Sequence, residues 1–304
     1  MSYYADSEYV EDSNTPWYKA LKLMPDSLKL LDVGCSSGNF DEVVIDRKRA
    51  IVDGIELNKK DAAIAAKKLR KVFNFNIETD DLSALDTDYD VIYLGDIIEH
   101  LVDPSAALKR LKELLNKKGT VVFSIPNMAH ISVRLMLLAG KFEYGNTGLL
   151  DRTHLHYYDK AEIERVFHTA GYKIEKLDWV SRDIPKELLD TELKRIGLKA
   201  NETFYALAKD LDAGAYQYIG KAVPVSGPIA EKPRPSVSPA IDTFEKHLAD
   251  MRKSYEDDVH RLEQRNSEQI NVLTAKINDY EKSTSWKVTK PLRKVSKIVR
   301  KVGS

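Results

Sequence analysis

Residues 29–38 read KLLDVGCSSG, and the architecture follows from them. The apolar run from Leu30 to Val33 is short and closed by a turn signal, as a buried strand is. Gly34 and Gly38 then allow a tight turn and close backbone approach to a ligand before a helix begins. Strand, glycine turn and helix together make a nucleotide-type cradle. It is not a dinucleotide fingerprint, because Ser36 and Asn39 stand where the second and third glycines would fall. Nor is it a P-loop, since no Gly-Lys-Ser/Thr follows. Asp32, two residues before Gly34, repels a pyrophosphate and suits a cationic or hydroxyl-bearing ligand.

Four more runs of the same kind follow: AIVDGIEL (50–57), VFNFNI (72–77), DVIYLGD (90–96) and TVVFSIP (120–126). Between them, Lys59–Lys71 and Pro104–Leu115 carry Ala, Leu and Ile at helical spacing. Strand–helix alternation at this rhythm predicts a parallel sheet covered by helices on both faces. A helix at Lys160–Ala170 and strands near Tyr172–Val180 and Thr203–Ala208 bring the expected sheet to seven strands, mostly parallel, in a Rossmann-like α/β domain. That domain is expected to fill residues 1–213, with its core at 28–210. Acids stand at the strand ends. Glu56, 22 residues after Gly34, can accept two hydrogen bonds from a ribose diol. Asp80, Asp81 and Leu82 follow the third strand and could meet an adenine amino group, with Leu82 and Leu57 against the ring. Three successive strands thus offer ligand groups at their carboxyl ends, where open α/β sheets bind.

Composition bounds the rest of the chain. Its 304 residues carry 47 basic and 47 acidic side chains, which argues against a surface built to neutralise nucleic-acid phosphates. A hydrophobic content of 43% is enough for a sizeable core. The single cysteine, Cys35, allows no internal disulfide and no cysteine-built zinc site. No apolar run is long enough to span a membrane, and the acidic, aromatic start is not a secretory signal, so a cytoplasmic protein is expected. Five prolines within 221–240 mark a linker, placed at 214–240. Beyond it, 241–283 carries a helical apolar stripe through Leu248, Val259 and Ile270, with Asn266 in the seam. A coiled coil joining copies of the chain is expected there. Residues 284–304 end the chain with seven basic residues and no acid after Trp286. Val288, Leu292, Val295, Val299 and Val302 share one face of that tail, which suits an anionic membrane surface at the inner face.

The segments LLDVGCSSGNF, GIELN, TDDL, YDVIYLGDIIEHLVDP and GTVVFSIPN, in that order, resemble the class I S-adenosylmethionine-dependent methyltransferases over about residues 28–210. By that resemblance, Asp32, Gly34, Cys35, Ser36 and Gly38 cradle the methionine part of the cofactor. Glu56 holds the ribose, Asp80 or Asp81 with Leu82 and Leu57 frames adenine, and Gly95 and Asp96 line the sulfonium side. The family often has glycine where Ser36 stands. The later stretch SIPNMAH…DRTHLHYYD is similar to methyltransferases of bacterial polysaccharide and glycan modification, which usually write DRTHLRFFT. His156 replaces that arginine, and Asp159 replaces the threonine as a helix N-cap.

Methyl transfer from a sulfonium is an in-line displacement, so the protein chiefly supplies positioning. An alcohol acceptor must also lose a proton, which calls for a base such as histidine. His154 is the expected base, from the likeness of DRTHLHYYD, with His130 and His100 as further candidates. Asp151 and Arg152 are expected to orient it or the acceptor, and Tyr144 and Tyr157 to stack on a sugar face. Trp17 and Tyr18, with Tyr3 and Tyr4, are candidates for a lid. No metal site is expected, because the acids and histidines lack a tight ligand spacing. The expected activity is O-methylation of a sugar in a surface polysaccharide or its lipid-linked precursor. The alternatives are O-methylation of a quinone or other small phenol, and a catalytically idle membrane-associated scaffold.

Overall fold

A computed structural model describes residues 10–209, 211–225 and 239–283. The chain divides near residue 232 into two compact units. The first holds a seven-stranded sheet in the order β3-β2-β1-β4-β5-β7-β6. Its strands are β1 (Lys29–Val33), β2 (Ile51–Ile55), β3 (Lys71–Phe73), β4 (Tyr89–Gly95), β5 (Leu115–Pro126), β6 (Tyr172–Ser181) and β7 (Ala215–Pro224). The first five pair in parallel, and β7 lies antiparallel between β5 and β6. β2 and β3 extend from one edge of β1, and β4 and β5 from the other. That reversal opens a crevice beyond the carboxyl ends of β1 and β4.

Period-2 alternation divides the strand side chains between two cores. Leu30, Val91 and Val122 join Phe40 and Val44 in one, and Leu31, Ile92 and Phe123 join Leu108 and Phe167 in the other. Both faces are dry, which is why these strands read as continuous apolar runs. The helices that cover them start on side-chain caps. Thr15 opens α1 (Pro16–Leu23), whereas α2 (Asn39–Lys48) starts from Gly38 without a side-chain cap. Asn58 caps α3 (Lys59–Ala65), and Asp103 caps α4 (Pro104–Lys112). α5 (Ile131–Leu138) follows β5, and α6 (Lys160–Thr169) starts on Asp159, whose carboxylate accepts from the Glu162 amide as expected.

Two expectations are corrected. Residues Thr203–Ala208, expected as the last strand, form part of α8 (Glu202–Ala208), which follows α7 (Lys186–Arg195). Asn201 caps it by accepting from the Phe204 amide at 2.9 Å, and the short apolar run was compatible with either element. The last strand lies instead at Ala215–Pro224, after the single turn α9 (Leu211–Gly214), inside the stretch expected as linker. Gly220 is needed within it: a Cβ there would stand 2.2 Å from Cζ of Phe123.

The second unit's described part is α10 (Pro239–Lys282), a helix of 44 residues. Met251, Tyr255, Leu262, Ile270, Leu273 and Ile277 are exposed along it. Among the described residues no helix is long and apolar enough to cross a membrane. Residues 226–238 of the expected proline-rich linker and the whole basic tail lie outside the described residues.

Candidate active site

The crevice at the strand ends is a cavity of about 480 Å³. β1 delivers Asp32 to its floor and then turns sharply, with Gly34 at φ +82°, Ser36 at +49° and Gly38 at +76°. The first turn needs glycine twice over, because a Cβ on Gly34 would also lie 2.2 Å from Cδ1 of Ile97. The amides of Gly34 and Cys35 donate to the Ile55 carbonyl at 2.7 and 3.1 Å, which fixes the turn to the end of β2. Glu56 completes the join: its carboxylate accepts from the Ser36 amide at 2.9 Å and the Asn58 amide at 2.7 Å. Asp32 and Asp41 are both buried in this wall. Burial, then the neighbouring Asp41 charge, pushes Asp32 well above the usual carboxylate range. Burial likewise raises Asp41 to about 7, against the pull of Asp32 hydrogen bonding and Lys68. Burial thus favours the neutral form of both carboxyls in this wall.

A second cavity of about 420 Å³ adjoins the first, and Pro16, Trp17, Asp96 and His100 line both. Asp96, at φ +55°, ends β4 between them. Its carboxylate accepts from Ser124 Oγ at 3.0 Å and from Gln217 of β7. Desolvation raises its pKa, and those two bonds restrain the rise. The far wall carries Glu99, His154, Arg182 and Tyr216, with the Arg182 guanidinium 3.8 Å from the Tyr216 ring centre.

Glu99 and His100 lie on a 3-10 turn (Ile98–His100), and the loop bearing His154 is stitched to it. The amides of Leu155 and His156 both donate to the Glu99 carbonyl, at 2.8 and 3.1 Å. Nδ1 of His100 donates to the Thr153 carbonyl at 3.1 Å, and Nδ1 of His154 to that of Leu149 at 3.2 Å. His154 Nε2 then lies 3.9 Å from Glu99 Oε1, and the His100 and His154 rings meet edge-on at 4.8 Å. Burial, then Asp96, pushes Glu99 well up, while burial and His100 lower His154.

Compared with known proteins, residues 9–177, more than half of the chain, match the model of the methyltransferase domain. The chain belongs to that family. It is an S-adenosylmethionine-dependent methyltransferase, and S-adenosylmethionine is its methyl donor. The methyltransferase is 27% identical over 184 residues to a ubiquinone biosynthesis O-methyltransferase of Pasteurella multocida, covering 51% of this chain and 74% of that one. It is 24% identical to the protein of the same name from Aeromonas salmonicida, over 50% and 66% of the two chains. Among solved structures, a SAM dependent methyltransferase from Aquifex aeolicus aligns with a TM-score of 0.45 at 16% identity, covering 69% of this chain and 89% of that one. The first cavity suits the donor chemically. Its glycine turn leaves no room for a Cβ, and acids stand where a ligand ammonium and a ribose diol can be met.

Most of the residues expected to meet the cofactor line this methyltransferase's first cavity: Asp32, Gly34, Cys35, Ser36, Glu56, Leu57, Gly95 and Asp96. Gly38 stands just behind it as the α2 cap. Asp80, Asp81 and Leu82 do not line it. Asp80 accepts from the Asn76 amide, Asp81 from Ser83, and Leu82 is buried in the core. The reason is that β3 stops at Phe73. Asn74 donates to the carbonyls of Glu56 and Leu57, which turns the chain across the end of β2, so Phe75–Glu78 form the wall instead.

The acceptor-side expectations divide similarly. Glu99, His100 and His154 are brought together. His130 is not a free base: its Nδ1 caps α5 by accepting from the Ser132 amide, and its Nε2 donates to the Arg182 carbonyl at 2.9 Å. Asp151 accepts from the Thr153 amide and hydroxyl, and Arg152 is exposed and bonded to the Gly145 carbonyl. Tyr144 and Tyr157 pack around Phe142. None of these five lines either cavity. Arg182, Tyr216 and Gln217 were not foreseen, because Tyr216 and Gln217 belong to the strand that read as linker. Trp17, a lid candidate, lines both cavities, while Tyr3 and Tyr4 are outside the described residues.

Proposed function

We propose that this methyltransferase moves the methyl group of S-adenosylmethionine to a hydroxyl of a small acceptor in the second cavity, with a phenolic hydroxyl as the first choice. The observation that carries the reading is the junction of the two cavities at Trp17, Asp96 and His100, with Glu99 and His154 just beyond it. Asp32 answers the donor's ammonium, Glu56 its ribose diol, and Asp96 stands beside the sulfonium. The S–CH3 bond breaks with its electron pair retained by sulfur, and the acceptor oxygen forms the new O–CH3 bond. The hydroxyl proton leaves at the Glu99–His100–His154 cluster. His154 is the expected first recipient: its Nδ1 is committed to a carbonyl, its Nε2 is not, and it lines the second cavity alone, whereas His100 lines both.

The names of the relatives support a phenol: both are O-methyltransferases of ubiquinone biosynthesis. A sugar hydroxyl is the second reading, supported by the likeness of DRTHLHYYD to glycan-modifying enzymes. The test is incubation of the purified protein with methyl-labelled donor and parallel panels of simple phenols and of sugars. An aryl methyl ether is the expected product. Label on sugars alone would move the acceptor to the second reading, and no label from a protein that binds the donor would leave the idle scaffold. For assembly, the proposal keeps a coiled coil between copies of the chain, supported by the exposed stripe of α10.

A further inference from the structure

Glu99 is an anomaly of this fold. Its side chain is 1% exposed, and neither carboxylate oxygen has a hydrogen-bond partner. Leaving a buried acid unsatisfied is costly, so such groups call for an explanation. Two histidines converge on it. One ligand atom from each of Glu99, His100 and His154 lies within 4.8 Å of the others. Each histidine spends its Nδ1 hydrogen on a backbone carbonyl, at 3.1 Å for His100 and 3.2 Å for His154. That bond fixes the tautomer and leaves the Nε2 lone pair available, the outer arrangement found behind metal-bound imidazoles.

We propose that Glu99, His100 and His154 bind one divalent transition-metal cation at the wall of the second cavity. Two imidazoles and a carboxylate suit Zn²⁺, Mn²⁺, Fe²⁺ or Co²⁺ better than Mg²⁺ or Ca²⁺, which prefer all-oxygen shells. Metal–nitrogen bonds of about 2.1 Å imply ligand atoms about 3.0–3.5 Å apart, so the cluster contracts slightly on loading. Three protein ligands leave coordination positions open toward the cavity. There the cation would hold and polarise the acceptor oxygen, with the two histidines serving as ligands instead of as a base. This inference rests on the second cavity being the acceptor site, but metal binding is measurable without any acceptor.

The test is titration of chelator-treated full-length protein with Zn²⁺, Mn²⁺ and Co²⁺ by calorimetry, with the visible spectrum of the Co²⁺ form as a second readout. One tight site per chain is expected. Glu99→Gln, which keeps the side-chain shape, and His154→Ala, which lines only the second cavity, should each weaken it more than tenfold, while S-adenosylmethionine binding in the first cavity persists and reports an intact fold. An absence of stoichiometric binding to wild type overturns the proposal, and so does binding that survives both substitutions. A loaded site without methyl transfer to any phenol or sugar would sustain the metal and sink the acceptor reading. Transfer unchanged by chelation would return His154 to the role of base.

Discussion

Asp41 never faces the donor cavity, yet it sets a pH dependence for the molecule. Its folded-state pKa of about 7 stands above the ordinary 3.8, so between those values the folded chain keeps a proton that the unfolded chain releases. Stability contributed by this group is therefore fully present near pH 4, declines as pH rises toward 7, and is level above that. Asp32 acts in the same direction. Lys68 and Glu42, the charges facing Asp41, oppose each other there. Asp41→Asn should flatten the decline, so that denaturant melts of variant and wild type diverge most at pH 8; parallel curves from pH 4 to 8 would refute the raised Asp41 pKa. Glu56 gives a second prediction. Glu56→Ala removes both the proposed ribose contact and the acceptor for two backbone amides, and S-adenosylmethionine affinity should fall by about tenfold to a hundredfold, or about 1.4–2.8 kcal/mol. Titration calorimetry reads it directly, with Glu56→Gln in between. Both residues were legible in the sequence at different depths. Glu56 ends a strand at a meaningful distance from a glycine turn. Asp41 reads as an ordinary first-turn helix acid, and only burial makes it otherwise.

Among the elements, β7 contrasts most with its sequence. AYQYIGKAVP has the aromatic and β-branched content of a strand, but Gly214, Gly220 and Pro224 and the proline-rich run beyond obscure it. The mistake had a local cause and a distant effect: with the strand went Tyr216 and Gln217, and with them one wall of the acceptor cavity. The parallel strands were plain because each is apolar for its whole length and buried on both sides. β3 was overextended because Asn74 diverts the chain by side-chain bonds that no hydropathy pattern carries. Gly220 supplies the prediction at this scale. Phe123 is fully buried and packed on Phe167 at 4.2 Å between ring centres, so it cannot easily make way for a methyl group. Gly220→Ala should lower unfolding free energy by about 1–3 kcal/mol, with the donor cavity spared. A melt equal to wild type would show that the ring has room to shift.

For the whole molecule, the exposed stripe of α10 is the open question of assembly. Charges placed at Leu262 and Ile270 together should convert an associated species to a monomer in sedimentation, because both are more than half exposed along α10 and a coiled coil would bury them. A wild type that already sediments as a monomer would end the coiled-coil reading. Domain boundaries give a sharper expectation. A fragment of residues 1–213, the limit that composition suggests, should fail to fold, whereas 1–232 should fold and bind the donor.

That difference reaches into biosynthesis. Among the described residues β6 pairs with β7 alone, and β7 comes last of the sheet's strands in chain order. While the ribosome is still making residues 182–214, the finished β6 has nothing to zip onto. The nascent polypeptide therefore carries a bare hydrogen-bonding edge, with Trp179 and Val180 on it, until the closing strand clears the exit tunnel. Slow translation across 182–224 should raise aggregation and chaperone demand during synthesis, while leaving the finished enzyme's stability untouched.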